Sequence, residues 1–275
     1  MSKCRLRDER DDSMKARVLN EAKLIAWLGD TLGWETEAVS LTALAGTHHN
    51  FKVSYQAPSL TKPKHPGQAQ TSHYLAKIWR GHAGECFTMQ STATLQRHLA
   101  QFGLAPQIVA VDPQAGMWLE HWVDDAPMPR CPKLLGQRLA HLHCFPLQTL
   151  RKVDVVTQQS RMHLVDEDVP THHLEPAHPL NDHIFGHMDA QYAHGLGQQV
   201  WVDWEYAGIT QRGYDLANAI VMNQMHAEET VQCLAEYCAI TGFETDVITT
   251  GLPYYIDWVD KQNQRWHTLA QAKCE

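Results

Sequence analysis

The sequence predicts an α+β protein with two lobes, a small N-terminal lobe built on an antiparallel sheet and a larger, mainly helical C-terminal lobe. Patterns typical of helix, strands, helix and strands follow one another up to about residue 123, and helical patterns dominate beyond it. The 275 residues are enough for one large domain or two lobes with a substantial core. The polar segment DDAPMPRCP, residues 124–132, marks the predicted boundary.

The N-terminal lobe is predicted to span residues 14–123, after a mixed-charge tail of residues 1–13 that we expect to be disordered. Apolar residues at helical spacing predict a first helix over 14–32, and strand patterns follow in EAVSLTAL, NFKVSYQA and HYLAKIW. The Pro-, Gln- and Ser-rich segment 57–72 predicts a loop between the last two strands. A helix ending at Gly103 and two strands joined by the turn DPQAG complete the lobe.

The C-terminal lobe, residues 124–275, begins with a predicted helix over Lys133–His143. Its most informative stretch is residues 184–220, IFGHMDAQYAHGLGQQVWVDWEYAGITQRGYDLANAI. Asp189 and Asp203 each stand at the end of an apolar run, where catalytic groups and metal ligands are often placed, but where turn and cap residues are common too. We interpret Asp215, at the start of a helical run, as a residue that ties the loop or caps the helix.

Composition excludes several classes of function. The formal net charge of −8 argues against binding to nucleic acid polymers or acidic membranes. No run approaches the ~20 apolar residues of a membrane-spanning helix, and the charged N-terminus does not resemble a secretory signal. The seven cysteines are scattered without metal-site spacing, which is typical of free thiols in a reducing compartment. We therefore expect a cytoplasmic protein.

The 18 histidines suggest a metal enzyme by composition alone. Their spacing does not support a dedicated zinc site, because His141 and His143 point to different faces of one predicted helix and no HExxH pattern occurs. A histidine-rich metal-dependent hydrolase remains an alternative that rests on composition only.

Three motifs in the C-terminal lobe carry a specific resemblance. HMD at 187–189, VDWEYAG at 202–208 and YDLA at 214–217 resemble the choline kinase and aminoglycoside phosphotransferase superfamily, whose members have a protein-kinase-like fold. The sequences of these motifs are most similar to those of bacterial thiamine kinases and choline kinases. The resemblance implies an ATP- and Mg²⁺-dependent kinase of small-molecule hydroxyls.

The resemblance extends over most of the chain in the right order. AGTHHNFKV at 45–53 resembles the phosphate-covering loop, HYLAKI at 73–78 the strand with the nucleotide-binding lysine, and LAHLH at 139–143 a helix of the family. GLAP at 103–106 and MWLEHW at 117–122 resemble the approach to the interlobe hinge. The residues that this likeness implies for nucleotide binding are Lys77, Gly46, Thr47, Asn50, Glu120 and Trp122.

The resemblance also implies roles for the polar residues of the catalytic segment. Asp189 is the expected catalytic base, and His187 is expected to brace its loop. Asp203 is the expected Mg²⁺ ligand, and His194 stands where the family has a metal-binding asparagine. Histidine is a poorer Mg²⁺ ligand than an amide oxygen, and the interval from Asp189 to Asp203 is short for the family, which indicates a clipped hairpin through GLGQQ.

The acceptor is expected to bind in the C-terminal lobe near Trp204, Glu205, Tyr255 and Trp258. Aromatic faces and carboxylates suit a cationic acceptor such as thiamine, choline or ethanolamine, although such aromatics are often core residues. Two alternatives remain within the same fold, a catalytically weak nucleotide-binding pseudokinase and an aminoglycoside phosphotransferase. The expected partners are a nucleotide and a small-molecule acceptor, with no nucleic acid polymer and no membrane, for a monomer or homodimer.

Overall fold

The computed structural model describes residues 18–46, 48–57, 71–79, 88–153, 175 and 177–272. These residues fall into two compact units. The sheet unit contains the described residues up to 79 together with Pro106–Asp124, and the helical unit contains residues 88–105 and the described residues from Asp125 onward. The predicted tail, residues 1–13, and most of the predicted loop at 57–72 lie outside the described residues.

The sheet unit consists of a helix and one five-stranded antiparallel sheet. Helix α1 spans residues 18–32. The strands are β1 (Val39–Leu44), β2 (His49–Gln56), β3 (Thr71–Ile78), β4 (Ile108–Asp112) and β5 (Met117–His121). Their order across the sheet is β1-β2-β3-β5-β4, and all neighbours are antiparallel. All five strands that the sequence predicted in this region are confirmed.

The core of the sheet unit lies between α1 and one face of the sheet. Leu24 and Leu28 of α1 are fully buried, and they pack in one cluster with Phe51, Val53 and Leu119 of the strands. Because side chains alternate along a strand, these inward residues leave the polar residues between them on the other face. Burial of apolar side chains against the sheet therefore holds α1 in place.

The helical unit contains the remaining helices and two short two-stranded sheets. The helices are α2 (Met89–Ala100), α3 (Pro132–His143), α4 (Arg212–Met222), α5 (Ala227–Thr241) and α6 (Thr245–Ala272). Strand β6 (His183–Gly186) pairs with β9 (Gly208–Gln211), and β7 (Gly195–Leu196) pairs with β8 (Val200–Trp201), both antiparallel. The α+β class and the mainly helical C-terminal part are thereby confirmed.

Helix packing forms the core of the helical unit. Leu135 and Leu139 of α3 are fully buried together with Cys233 and Leu234 of α5. A Cβ atom on Gly136 would lie 2.9 Å from the carbonyl carbon of Cys233, so the glycine permits the close approach of the two helices.

The sequence prediction counted helix α2 in the N-terminal lobe, residues 14–123. The residues of α2 cluster with the helical unit, because Leu95 and Leu99 are buried in the core that α3 and α5 form. The chain passes from the sheet unit to the helical unit at Asp124/Asp125, and the predicted lobe bounds stay predictions. None of the helices in the described part of the chain is long and apolar enough to cross a membrane.

Candidate functional site

The loop that follows β6 carries His187, Met188 and Asp189. A Cβ atom on the last residue of β6, Gly186, would lie 2.8 Å from the carboxyl carbon of Asp215, so only glycine fits there. Met188 has φ 56°, a left-handed conformation that is costly for a residue with a side chain. The tight strand end and the left-handed residue together turn the chain so that Asp189 follows in a fixed position.

Asp215 anchors this loop from the first turn of α4. Its fully buried carboxylate accepts hydrogen bonds from the backbone N–H of His187 (3.2 Å) and of Met188 (2.6 Å), and it lies 2.8 Å from Nε2 of His143. Burial by itself would raise the pKa of Asp215, but the hydrogen bonds from His143 and from the backbone N–H of Met188 help to leave the pKa below its ordinary value. Asp215 therefore ties the loop, as one of the two sequence interpretations had it.

A chain of buried hydrogen bonds extends from Asp215 to Arg212. His143 Nδ1 lies 2.8 Å from the hydroxyl of Tyr237, and Arg212 donates to the same hydroxyl oxygen. Because arginine can only donate, the single hydrogen of Tyr237 is left for Nδ1, and we assign the ring hydrogen of His143 to Nε2, facing Asp215. Burial lowers the pKa of His143 and raises that of Tyr237, which keeps both side chains neutral.

Asp189 is the carboxylate of this loop, and 13% of its side chain is exposed. Its Oδ1 accepts a 2.8 Å hydrogen bond from the amide of Gln191, and its Oδ2 lies 3.4 Å from Nδ1 of His194. Burial raises the pKa of Asp189 to about 6, against the opposing charge of His194. A carboxylate with a raised pKa and access to solvent has the properties of a general base.

His187 is completely buried and lies against the neighbouring strand. Its Nε2 is 2.9 Å from the carbonyl oxygen of Val202, so Nε2 carries the hydrogen. Burial lowers the pKa of His187 to about 4, and the ring is therefore neutral near pH 7. These contacts fit a residue that braces the loop, and the role of His187 in the catalytic segment stays a prediction.

Asp203 ends the short hairpin of β7 and β8. Its φ is 65°, a left-handed conformation that aspartate adopts more easily than most residues. The backbone N–H of Val202 donates to the carbonyl of His194 at 2.9 Å, and this bond joins the two chain segments that carry the site. The clipped hairpin that the sequence indicated is present, with only residues 197–199 between its strands.

Arg138 of α3 contacts this hairpin and holds its backbone. Its guanidinium donates to the carbonyl oxygens of Leu196, Gly197 and Val200, and it stacks over the ring of Trp201 at 4.5 Å. Burial lowers the pKa of Arg138 to about 10. Sequence reasoning missed this residue, because only the fold brings α3 under the hairpin.

Asp189, His194 and Asp203 form one cluster of candidate metal ligands. One ligand atom from each lies within 4.8 Å of the others. His194 Nε2 is 3.8 Å from Asp203 Oδ2. Two carboxylate oxygens and one imidazole nitrogen, each partly exposed, are a donor set that fits a divalent cation. Among the residues that the sequence predicted, these three are the ones that the structure brings together as possible ligands.

Trp204 and Glu205 follow Asp203 and are buried. Trp204 donates from Nε1 to the carbonyl of Trp201 at 2.8 Å, and its ring centroid lies 4.8 Å from that of His187. Glu205 is 5% exposed, and its charge contributes to the raised pKa of Asp189. Trp204 therefore packs behind the loop, whereas Glu205 acts electrostatically on the candidate base.

Tyr255 and Trp258, predicted as parts of an acceptor site, lie in the core of the helical unit. Tyr255 is fully buried, and its hydroxyl donates to Asn181 Oδ1 at 2.7 Å. Trp258 is 6% exposed, and its ring lies edge-on to that of Tyr214. Both positions fit packing residues, so their role in acceptor binding remains a prediction.

In the sheet unit, two predicted nucleotide-binding residues lie on paired strands. Asn50 of β2 is in register with Lys77 of β3, and Lys77 is 7% exposed. Asn50 Nδ2 donates to the carbonyl of Ala45 at 3.3 Å and closes the turn that contains Gly46. Thr47 lies outside the described residues.

The other two candidates, Glu120 and Trp122, lie at the end of β5. Glu120 is 2% exposed and accepts a 2.8 Å hydrogen bond from Nε1 of Trp118. Trp122 has the ammonium of Lys52 4.4 Å from its ring centroid, a cation–π contact. All of these residues in the sheet unit stay predicted ligands of the nucleotide.

Comparison of the sequence with known proteins gives no match to a protein-family model or to a curated protein. The fold does match solved structures. A choline/ethanolamine kinase family protein from Mesorhizobium loti has a TM-score of 0.60 at 18% identity, covering 94% of this chain and 87% of its own. Choline kinase from Cryptosporidium parvum has a TM-score of 0.55 at 15% identity, covering 87% of this chain and 90% of its own.

A macrolide 2′-phosphotransferase from Brachybacterium faecium has a TM-score of 0.59 at 12% identity, covering 93% of this chain and 94% of its own. At such low identity the likeness concerns the fold alone. The matches span nearly the whole of this chain and of the solved structures. The chain therefore has the protein-kinase-like fold that choline/ethanolamine kinases and macrolide phosphotransferases share, as its sequence motifs predicted.

Proposed function

We propose that the chain is an ATP-dependent phosphotransferase that uses a divalent cation and phosphorylates the hydroxyl of a small, cationic metabolite. The observation that carries the proposal is the cluster of Asp189, His194 and Asp203, whose ligand atoms lie within 4.8 Å of one another. Asp189 of this cluster lies on the loop that Asp215 fixes through two backbone N–H groups. Phosphoryl transfer needs positioning and charge neutralisation more than covalent chemistry, and this arrangement supplies both.

Asp189 is the base of the proposed reaction. One of its oxygens takes the proton of the acceptor hydroxyl, while the acceptor oxygen bonds to the γ-phosphorus and the bond from phosphorus to the nucleoside diphosphate breaks. The pKa of about 6 leaves most of Asp189 ionised near pH 7 and able to accept that proton. Gln191 holds the other carboxylate oxygen and so orients the base.

Asp203 and His194 would hold the divalent cation, and Lys77 would contact the nucleotide phosphates. The cation supplies neutralisation of the phosphate charge. Asp203 is the better-suited ligand of the two for Mg²⁺, the ion that the sequence led us to expect, because hard cations prefer oxygen. In the sheet unit, Lys77 would act as a point charge on the phosphates.

The acceptor class is the finer part of the proposal. Asp189, Asp203 and Glu205 place three carboxyl groups near one another, since the charges of Asp203 and Glu205 both raise the pKa of Asp189. Such an acidic surrounding favours a cation over an anion. We therefore propose choline, ethanolamine or thiamine as acceptors ahead of a neutral alcohol, and the names of two similar structures, which are choline or ethanolamine kinases, agree with this choice.

A second candidate is a nucleotide-binding pseudokinase of the same fold. The observation that favours it is the contact of His194 with both Asp189 (3.4 Å) and Asp203 (3.8 Å). A protonated imidazole there would neutralise the two carboxylates without a metal ion and would hinder turnover.

The test is nucleotide consumption by the purified chain with choline, ethanolamine, thiamine, an aminoglycoside and a macrolide as acceptors. We expect acceptor-dependent turnover with one of the cations, and a loss of about 10²–10⁴-fold in kcat for Asp189→Ala. The matched control is Asp257→Ala, which removes a carboxylate with 58% exposure on the surface of α6 and keeps turnover. Near-normal turnover in Asp189→Ala contradicts the base assignment, and nucleotide binding without any turnover favours the pseudokinase.

A further inference from the structure

The orientation of the His194 ring follows from one hydrogen bond. Its Nδ1 lies 2.8 Å from the carbonyl oxygen of Asp189. A carbonyl oxygen can only accept, so we assign the ring hydrogen to Nδ1. In the neutral ring, Nε2 then presents a lone pair and no hydrogen.

A carboxylate oxygen of Asp203 lies near that nitrogen. Nε2 is 3.8 Å from Oδ2 of Asp203, beyond hydrogen-bond distance. Two ligand atoms that each lie about 2.1 Å from one ion can be at most about 4.2 Å apart. The observed separation thus suits two ligands of the same cation after a small adjustment, and Asp189 offers a third ligand atom within 4.8 Å.

The backbone holds both ligands in this arrangement. The N–H of His194 donates to the carbonyl of Gln191 at 3.0 Å, and its carbonyl accepts from Val202, the residue before Asp203, at 2.9 Å. His187 donates to the carbonyl of the same Val202. A ligand whose orientation is fixed by such neighbours binds a metal ion with little reorganisation.

The donor set does not match Mg²⁺, the ion that the sequence resemblance led us to expect. Mg²⁺ binds oxygen ligands in near-ideal octahedral geometry and dehydrates reluctantly. Imidazole nitrogen is instead a ligand of first-row transition metals, and Mn²⁺ also accepts carboxylate, phosphate and water oxygens. One nitrogen with two carboxylates is therefore a mixed set that suits Mn²⁺ better than Mg²⁺.

We propose that Asp189, His194 and Asp203 form a binding site that selects a divalent transition metal such as Mn²⁺ over Mg²⁺, with His194 Nε2 as the selecting ligand. The proposal rests on the proposed function for the role of the ion in phosphoryl transfer, but the binding itself needs neither nucleotide nor acceptor. It makes His194 an active part of the site and accounts for the absence of an oxygen ligand at this position.

The test is direct metal binding to the full chain after removal of divalent ions. Mn²⁺ is titrated and followed by the electron paramagnetic resonance signal of the free ion, and Mg²⁺ is added as competitor. We expect Mn²⁺ to bind about tenfold or more tightly than Mg²⁺. Pulsed measurements on bound Mn²⁺ are expected to show coupling to a directly bound nitrogen.

The variant is His194→Asn, with His183→Asn as the matched control because His183 is exposed on β6 in the same unit. We expect His194→Asn to weaken Mn²⁺ binding by about tenfold or more, to abolish the nitrogen coupling and to lower the preference for Mn²⁺ over Mg²⁺. The control keeps wild-type binding. If His194→Asn does not fold by circular dichroism, His194→Gln replaces it, and the nitrogen coupling of the wild type still decides the proposal.

The outcomes separate this proposal from the proposed function. Equal affinity for the two ions, no nitrogen coupling, or a coupling that persists in both His194 variants overturns the metal proposal, even where turnover with Mg²⁺ supports the kinase function. Selective Mn²⁺ binding through nitrogen without turnover for any acceptor supports the metal site and contradicts the kinase function.

Discussion

In the pair His143–Asp215, the nearest side-chain atoms are 2.8 Å apart and both side chains are fully buried. In the pair His194–Asp203, the nearest atoms are 3.8 Å apart, and the side chains are 18% and 28% exposed. The two pairs lie in the same unit and contain the same residue types. In the first, the ring hydrogen of His143 points at the carboxylate. In the second, we assign the ring hydrogen of neutral His194 to Nδ1, which donates to the carbonyl of Asp189, so Nε2 has no hydrogen to donate to Asp203.

The difference shows that residue type does not decide whether a histidine–aspartate pair is structural or functional. Hydrogen bonding from His143 and from two backbone N–H groups makes Asp215 an anchor, because a buried carboxylate whose oxygens are hydrogen-bonded can keep its charge and fix its surroundings. In His194–Asp203, the partly exposed side chains are 3.8 Å apart, and the proposed cation site rests on that arrangement. The hydrogen-bond partner of the second ring nitrogen is what distinguishes the two pairs.

Asp215→Asn is expected to give the largest effect on stability. The amide has one acceptor oxygen in place of two, so it cannot accept from the backbone N–H groups of His187 and Met188 on separate oxygens, and the buried network loses its charged centre. We expect a loss of about 3–5 kcal/mol in the free energy of unfolding, measured by urea denaturation.

The control for that prediction is Asp203→Asn. It makes the same chemical change in the partly exposed pair, and asparagine tolerates the left-handed φ of 65°. We expect a loss below about 1 kcal/mol. Similar losses in both variants would contradict the distinction between an anchor and a ligand site.

The next largest loss of stability is expected for Tyr237→Phe. It removes the hydroxyl that accepts from Arg212 and lies 2.8 Å from His143 Nδ1, and it leaves both buried partners without a bond that they make in the wild type. We expect a loss of about 1–3 kcal/mol in the free energy of unfolding. Tyr254→Phe, the same change at a half-buried tyrosine of α6, is expected to cost less than about 0.5 kcal/mol, and an equal cost would show that the hydroxyl of Tyr237 is not a link in the network.

Lowering the pH is expected to destabilise the protein through its buried imidazoles. Burial lowers the pKa of His187 to about 4 and lowers that of His143, so the unfolded chain binds more protons than the folded one as pH falls below about 6.5. Asp189 opposes this, because its pKa of about 6 makes the folded chain bind the extra proton between about pH 6 and 4.

The net loss between pH 7 and 5.5 is expected to be about 1–2 kcal/mol, measured by urea denaturation at the two values. Asp189→Asn removes the opposing group and makes the loss larger. A free energy of unfolding that does not change between pH 7 and 5.5, in the wild type and in Asp189→Asn, would contradict neutral buried histidines.

The sequence predicted the fold class and the strands of the sheet unit, because alternating apolar residues and Gly/Pro turns are local signals. It did not show with which elements α2 packs. The amphipathic pattern of that helix shows that Leu95 and Leu99 are buried, but the pattern does not say against which neighbours, and the structure packs them with α3 and α5. Packing partners of that kind are fixed by tertiary structure.

The sequence predicted those residues of the candidate site that belong to recognisable motifs. The sequence identified Asp189, Asp203 and His194, which the structure brings together. It could not identify Arg138 or Tyr237, whose functions depend on hydrogen bonds across 58–94 residues of sequence. Tyr255 and Trp258, chosen for their aromatic faces, are buried in the core, as an aromatic residue on a helix commonly is.

A small effect on stability is expected for His194→Asn when it is measured without divalent ions. The ring is partly exposed and donates one hydrogen bond, to a backbone carbonyl, so we expect a loss below about 1 kcal/mol in urea denaturation. His143→Asn, the same change in the buried pair, leaves Asp215 without its side-chain donor and is expected to cost about 3 kcal/mol or more. For Mn²⁺ binding we expect the opposite order, with a larger loss for His194→Asn than for His143→Asn, because His194 is the proposed metal ligand. A His143→Asn variant that folds but loses Mn²⁺ binding as fully as His194→Asn would contradict this. It would show that the anchor and the ligand site are one cooperative network.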